Sequence, residues 1–129
     1  MAEKYTLKRL TEVEDSAVKG GIQEHQEARF ATGDLEAERT GVSLMHVKPN
    51  QRQAFAHRHD EAEEVYVVIS GSGRVKLDDD IVDLEAFDAI RVAPNVMRQF
   101  EGGPEGLTYV AVGARHEGDG EIAPGWWAD

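Results

Sequence analysis

His57-Arg58-His59-Asp60-Glu61-Ala62-Glu63-Glu64 is the stretch on which the reading of this chain turns. Two histidines stand two residues apart, and a carboxylate follows five residues after the second. On a strand, residues i and i+2 point to the same face, so both imidazoles look into one space. A short turn then lets Glu64 rejoin them. Two neutral imidazoles and one carboxylate are a donor set that suits a divalent transition metal with open coordination positions. The competing reading is two surface histidines in an acidic loop. Asp60 and Glu61 read as loop solubilisers. Glu63 rivals Glu64, but it is one residue out of register and points to the opposite face.

The wider pattern resembles the cupin superfamily, whose first motif reads G-x5-H-x-H-x4-E-x6-G. Gln51 stands where the first glycine would be; His57, His59, Glu64 and Gly71 fall in register. The second motif, G-x5-P-x-G-x2-H-x3-N, is degenerate from Phe87 to Gly102. Phe87 replaces its first glycine, Pro94 comes one place late, and Asn95 stands for the turn glycine and is able to take a left-handed conformation. Arg98 occupies the place of the last histidine, which in the family is the fourth protein ligand. The resemblance runs from about Thr40 to Gly113. It implies an all-β fold, a jelly-roll β-barrel with His57, His59, Glu64 and residue 98 converging inside. It also implies a divalent transition metal, with iron, manganese, zinc, nickel and copper not distinguished.

Arg98 divides the expectation. Arginine stays charged and cannot ligate a metal. Two unit charges about 4 Å apart interact by roughly 4 kcal/mol at an effective dielectric of 20. Either Arg98 folds onto Glu64 and replaces the metal, or its side chain leans toward the barrel mouth. In the second case the metal keeps three ligands and Arg98 grips an anionic substrate. The second is taken forward, because retention of the three other ligand residues would otherwise be coincidence.

The rest of the chain bounds these possibilities. Its 129 residues suggest one domain, with a core over about 40–113, an N-terminal arm over 1–39 and a tail over 114–129. The absence of cysteine excludes disulfides and, with no signal-peptide pattern, leads to the expectation of a cytoplasmic protein. A net charge of −11 disfavours nucleic acid and anionic membranes as partners. Thr11-Glu12-Val13-Glu14 has the form of a capping box, and Gly20-Gly21 of a stop, so a short helix is expected between them. Strands are expected over 27–31, 41–48, 54–59, 64–70, 74–77, 81–84, 89–92, 96–100 and 107–112. Gly71-Ser72-Gly73 reads as a hairpin turn, Asp78-Asp79-Asp80 as a solvated tip, and Gly102-Gly103-Pro104 with Gly106 as another turn. The strand from Glu64 is apolar on both faces. Val65, Val67 and Ile69 are expected to meet the arm or a second subunit, which points to a homodimer. Trp126-Trp127 is too apolar to leave exposed and is expected on the barrel's outer wall.

The expected function is metal-assisted chemistry, of dioxygenase, isomerase or lyase type, on a small polar or anionic molecule. His57, His59 and Glu64 are the expected metal ligands; Arg98, Tyr66 and Phe100 the expected substrate contacts; Met45 and Val68 further pocket wall. The alternative is a non-catalytic binding module in which Arg98 pairs with Glu64 and no metal binds. His46 is a weaker replacement ligand, and His25 and His116 are expected to face solvent.

Overall fold

The structure, a computed structural model, describes residues 4–115 and 118–128. Its N-terminal arm holds one turn of 3-10 helix, Leu10–Glu12, and one turn of α-helix, α1, Ser16–Lys19. The helix starts later than the capping box suggests. Asp15 is its N-cap, and its Oδ1 accepts from Ala17 N at 3.0 Å and from Ala28 N at 2.9 Å. One short carboxylate thus opens the helix and ties it to the first strand, which a Thr11 cap cannot do. Gly21, at φ 74°, supplies the left-handed stop.

Eight strands follow: β1 Gln26–Phe30, β2 Thr40–Val47, β3 Phe55–His59, β4 Glu64–Leu77, β5 Asp80–Glu85, β6 Ala89–Val92, β7 Arg98–Ala114 and β8 Gly120–Pro124. All pairings are antiparallel and join one curled sheet. Strands β4 and β7 run through both layers of the curl. One layer reads β1, β2, the end of β7, the start of β4, β6. The other reads β8, β3, the start of β7, the end of β4, β5. This is the jelly-roll β-barrel with a short helical arm.

Two of the expected turns are not turns. Both halves of β7 pair with β4 in the same antiparallel sense, so the chain does not reverse at Gly71-Ser72-Gly73 or at Gly102 to Gly106. Each is a bulged bend where the strand passes between layers. The glycines serve close backbone approach. A Cβ on Gly71 would overlap the Gly106 carbonyl, one on Gly73 the Glu101 carbonyl, and one on Gly102 the Lys48 carbonyl.

Asp78 does close the β4–β5 turn in a left-handed conformation, at φ 52°. Phe87 is also left-handed, at φ 73°, with its side chain 84% exposed. A glycine would sit there without strain, which explains the family's preference at that position. Asn95 is not among the left-handed residues; the turn at Pro94-Asn95 is made without a positive φ.

Inward residues of both layers form the core, with Val47, Val68, Val75, Phe100 and Leu107 fully buried. Tyr66, Phe100 and Tyr109 pack as an aromatic trio, with Phe100 stacked on Tyr109 at 4.3 Å between centroids. Trp127 is buried against the outer wall with the Arg52 guanidinium 4.2 Å from its ring centroid and Arg74 at 5.2 Å. Both arginines also pair with Glu101, at 2.7 and 2.8 Å. Among the described residues, the arm does not cover Val65, Val67 and Ile69. Helix α1 packs on β1, and Leu10–Glu12 reaches β2.

Two substitutions test this account with opposite signs. Gly102→Ala should destabilise by about 1–3 kcal/mol through overpacking against Lys48. Phe87→Gly should stabilise by up to about 1 kcal/mol, since relief of a left-handed residue outweighs the added chain entropy. Denaturant unfolding measures both; a neutral Gly102→Ala would contradict the close approach.

Candidate functional site

The site is assembled from β3 and β4, with β7 beneath. His57 and His59 alternate with outward Arg58, and Glu64 alternates with outward Glu63, which pairs with Arg91 at 3.0 Å on the surface. The i, i+2 rule therefore places both imidazoles and Glu64 on the inner face. Glu64 Oε1 lies 3.3 Å from His57 Nε2 and 3.1 Å from His59 Nε2. Nitrogen and oxygen atoms of the three residues lie within 4.8 Å of one another. Gly113, opposite Glu64 on β7, leaves room for the carboxylate, since a Cβ there would meet Glu64 Cγ at 3.3 Å.

Tyr66, two residues beyond Glu64, donates its hydroxyl to Glu64 Oε1. Burial, then the adjacent Glu64 charge, push the Tyr66 phenol well above its ordinary pKa, so it keeps its proton. Burial also works to raise the Glu64 pKa, but hydrogen bonds from His57, His59 and Tyr66 outweigh it and hold the carboxyl well below its ordinary value of 4.5. The group is an anion across the physiological range.

Arg98 does not lean toward the mouth. It pairs with His57 across β3 and β7 and is 0% exposed. Its Nε donates to the Tyr66 oxygen at 3.0 Å, and one terminal nitrogen donates to the carbonyls of Pro94, at 3.1 Å, and Val96, at 2.8 Å. The other terminal nitrogen sits 3.4 Å from Glu64 Oε1, at ion-pair distance without a hydrogen bond. The carbonyls of the loop before β7 hold the guanidinium down, and Tyr66 lies over it. Phe100 is likewise fully buried behind Tyr66 and Tyr109. Neither Arg98 nor Phe100 lines the cavity described next, whereas Tyr66 and Met45 do.

A cavity of about 440 Å³ has His57, His59, Glu64 and Tyr66 along one side and Ala17 and Ile22 of the arm along another. His59 and Glu64 also border an adjoining recess of about 350 Å³ toward Thr32 and Arg115. His46 is not a replacement ligand: its Nδ1 meets Thr108 Oγ1 at 2.8 Å, and neither space includes it. His25 contacts Gln51 and Glu24 away from the cavity. His116 lies outside the described residues.

Asp119 was not singled out in the sequence. Its buried carboxylate accepts from the backbone N–H groups of Asp60, Glu61 and Ala62 at 2.7–2.9 Å and lies 3.6 Å from His59 Nδ1. It therefore shapes the β3–β4 loop and faces the ring nitrogen of His59 that points away from Glu64. Nothing local marks it, because the contact spans 59 residues of chain.

Fold and site together define a small β-barrel protein with an imidazole–carboxylate cluster in its interior. The cupin domain family matches the sequence over residues 43–113, more than half of the chain, and the protein belongs to the cupins. Solved structures of similar shape include a cupin protein from Bacteroides fragilis, 20% identical at TM-score 0.71, with 90% of this chain and 88% of that one covered. A protein with a double-stranded β-helix domain from Klebsiella pneumoniae is 22% identical at TM-score 0.72, with 91% and 96% covered. The polyketide cyclase RemF from Streptomyces resistomycificus is 20% identical at TM-score 0.72, with 96% and 89% covered. At these identities the likeness is one of fold. No curated protein matches the sequence at a significant level.

The depressed Glu64 pKa fixes a pH dependence. Its contribution to stability is fully present above the ordinary value of 4.5 and is withdrawn as pH falls from there toward the lower folded value. In chelator-treated protein, Glu64→Gln should lose about 3 kcal/mol at pH 7, since it leaves Arg98 without its counter-charge. The gap to wild type should narrow steadily below pH 4.5. A gap independent of pH, measured by denaturant unfolding, would contradict the assignment.

Proposed function

We infer that this cupin holds one divalent transition metal through His57, His59 and Glu64 and uses it in chemistry on a small molecule. The observation that carries this reading is the convergence of two imidazole Nε2 atoms and a carboxylate oxygen at the side of a cavity. The donor set fits a three-ligand centre. Both Nε2 atoms face Glu64, to which they donate in the metal-free site, and the Asp119 carboxylate 3.6 Å from His59 Nδ1 would favour release of the Nε2 proton to make room for a metal. Such an ion supplies a Lewis acid for a substrate oxygen or a centre that activates dioxygen.

The chain's own groups do the rest. Tyr66 keeps a proton at its phenol oxygen, and Arg98 Nε, donating to that oxygen, pins and polarises it. Arg98 balances the Glu64 charge from below and opposes added positive charge, so the centre is weaker than one with four protein ligands. The role assigned to Arg98 is accordingly positioning, where the sequence suggested a grip on substrate. A second reading, a metal-free binding module, is favoured by the 3.4 Å approach of Arg98 to Glu64.

Metal analysis of protein purified without a histidine tag, followed by zinc titration, separates the two. One zinc per chain is expected. His57→Ala and His59→Ala should each weaken it by about 100-fold or more, and Asp119→Ala by about 10–100-fold. Arg98→Met should tighten it by about tenfold, or 1.4 kcal/mol. Equal zinc affinity in wild type and His59→Ala would leave only the metal-free reading.

A homodimer is proposed through the outer face of β4 and β7. Val65 pairs with Val112 and Val67 with Val110, making an apolar surface on which Val65, Ile69 and Val112 are 36%, 43% and 36% exposed. Apolar residues clustered in this way mark association sites. Light scattering should give the mass of two chains for wild type and of one for the Val65→Asp, Ile69→Asp double variant. A wild-type monomer at micromolar concentration would end the proposal.

A further inference from the structure

We propose that the cavity takes a neutral, largely apolar ring compound that carries an oxygen at one end, and that it selects against anions. This rests on the reading that the side formed by His57, His59, Glu64 and Tyr66 is the reacting end.

Four features point to that ligand class. The first is the wall. Six elements each contribute an apolar side chain: Ala17 from α1, Ile22 from the turn after it, Phe30 from β1, Met45 from β2, Phe55 from β3 and Ile122 from β8. Phe30 and Ile122 are 58% and 57% exposed, so apolar surface continues to the rim. Volume and lining together fit a small organic molecule whose affinity comes from burial.

The second is the state of the glutamines. Gln26 Oε1 accepts from Ala54 N at 3.0 Å. Gln53 Oε1 accepts from Phe100 N at 3.0 Å, and its Nε2 donates to the Tyr109 hydroxyl at 3.0 Å. Gln53 is committed to the scaffold through both amide atoms, and Gln26 through its oxygen. Outside the ligand side, the remaining polar groups among the described lining residues are the hydroxyls of Ser16 and Ser43 and that of Tyr109, which accepts from Gln53. Polar recognition is thus concentrated at one end.

The third is charge. Among the described residues, no lysine or arginine lines this cavity. Arg98 is sealed beneath Tyr66, and Arg115 borders the adjoining recess with a hydrogen bond to the Ala37 carbonyl. The formal charge facing the cavity is the Glu64 anion. A carboxylate ligand would lose its hydration against apolar walls and meet a like charge.

The fourth is orientation. The Glu64 carboxylate, the Tyr66 oxygen and the two imidazole Nε2 atoms lie at the same end, with the Tyr66 proton given to Glu64 Oε1. A ligand hydroxyl finds an acceptor there in the Glu64 carboxylate, and the ring body lies toward the arm.

The test uses a matched pair on the metal-free, full-length protein at pH 7: 1-naphthol, neutral, and 1-naphthoate, the same ring system with a negative charge. Calorimetry should give 1-naphthol the tighter binding by about tenfold or more. Phe30→Glu, a change at an exposed rim position, should weaken 1-naphthol by a similar factor while leaving the melting temperature near wild type. Equal or tighter binding of 1-naphthoate, no binding of either compound, or unchanged 1-naphthol binding in Phe30→Glu would each overturn the proposal. Zinc titration of the same samples tells this failure from that of the metal reading. Naphthol binding without zinc binding removes the metal alone, and zinc binding without naphthol binding removes the ligand class alone.

Discussion

One buried carboxylate oxygen, Glu64 Oε1, organises the interior of this barrel. Four groups from three strands converge on it: His57 and His59 from β3, Tyr66 from its own strand, and Arg98 from β7. A carboxylate in a low-dielectric interior is tolerated only when donors surround it. Here the donors are also the groups that make up the candidate site. The electrostatic demand of the fold and the construction of the site are therefore met by the same atoms. Removing any one partner disturbs both.

That convergence depends on register. Side chains alternate along each strand, so a slip of one residue in β4 would send Glu64 and Tyr66 outward and bring Glu63 and Val65 in. The long ladder between β4 and β7 fixes the register, and the glycine-bearing bends allow one pair of strands to serve both layers. The arm completes the enclosure. Asp15 ties α1 to β1, which sets Ala17 over the cavity opposite the histidines. Apolar walls then make the polar end stand out as the place where a bound oxygen has partners.

Much of this was legible in the sequence. The alternation of His57, Arg58 and His59 and the return at Glu64 depend on local geometry, which spacing reports faithfully. Most of the strands and the outer packing of Trp127 follow from apolar patterning; β8, in the stretch read as a tail, does not. Three things were not legible, each for a physical reason. Glycine clusters mark both turns and close approach, and only the pairing partner tells which, so the bends within β4 and β7 read as reversals. The direction of the Arg98 side chain is set by the carbonyls of Pro94 and Val96 and by Tyr66, so its number alone suggested a reach toward the barrel mouth, whereas the side chain is buried beneath Tyr66. Asp119 joins the site across a span that no short motif covers. The neutral character of the cavity wall has the same origin, since its residues come from six separate elements.

The strand that carries the two histidines has an unequal pair of neighbours. β3 shares a ladder with β7 at the single position His57–Arg98, but with β8 along its whole length. The strand that flanks the two imidazoles along their whole ladder is thus made well after them. At about 5–20 residues per second, several seconds of translation separate β3 from β8. The long β4–β7 ladder uses only residues made before β8, so it is able to form while the histidines still lack their second neighbour and Asp119. The imidazole–carboxylate cluster is therefore completed only once β8 and Asp119 have emerged, after the strands that make most of the barrel.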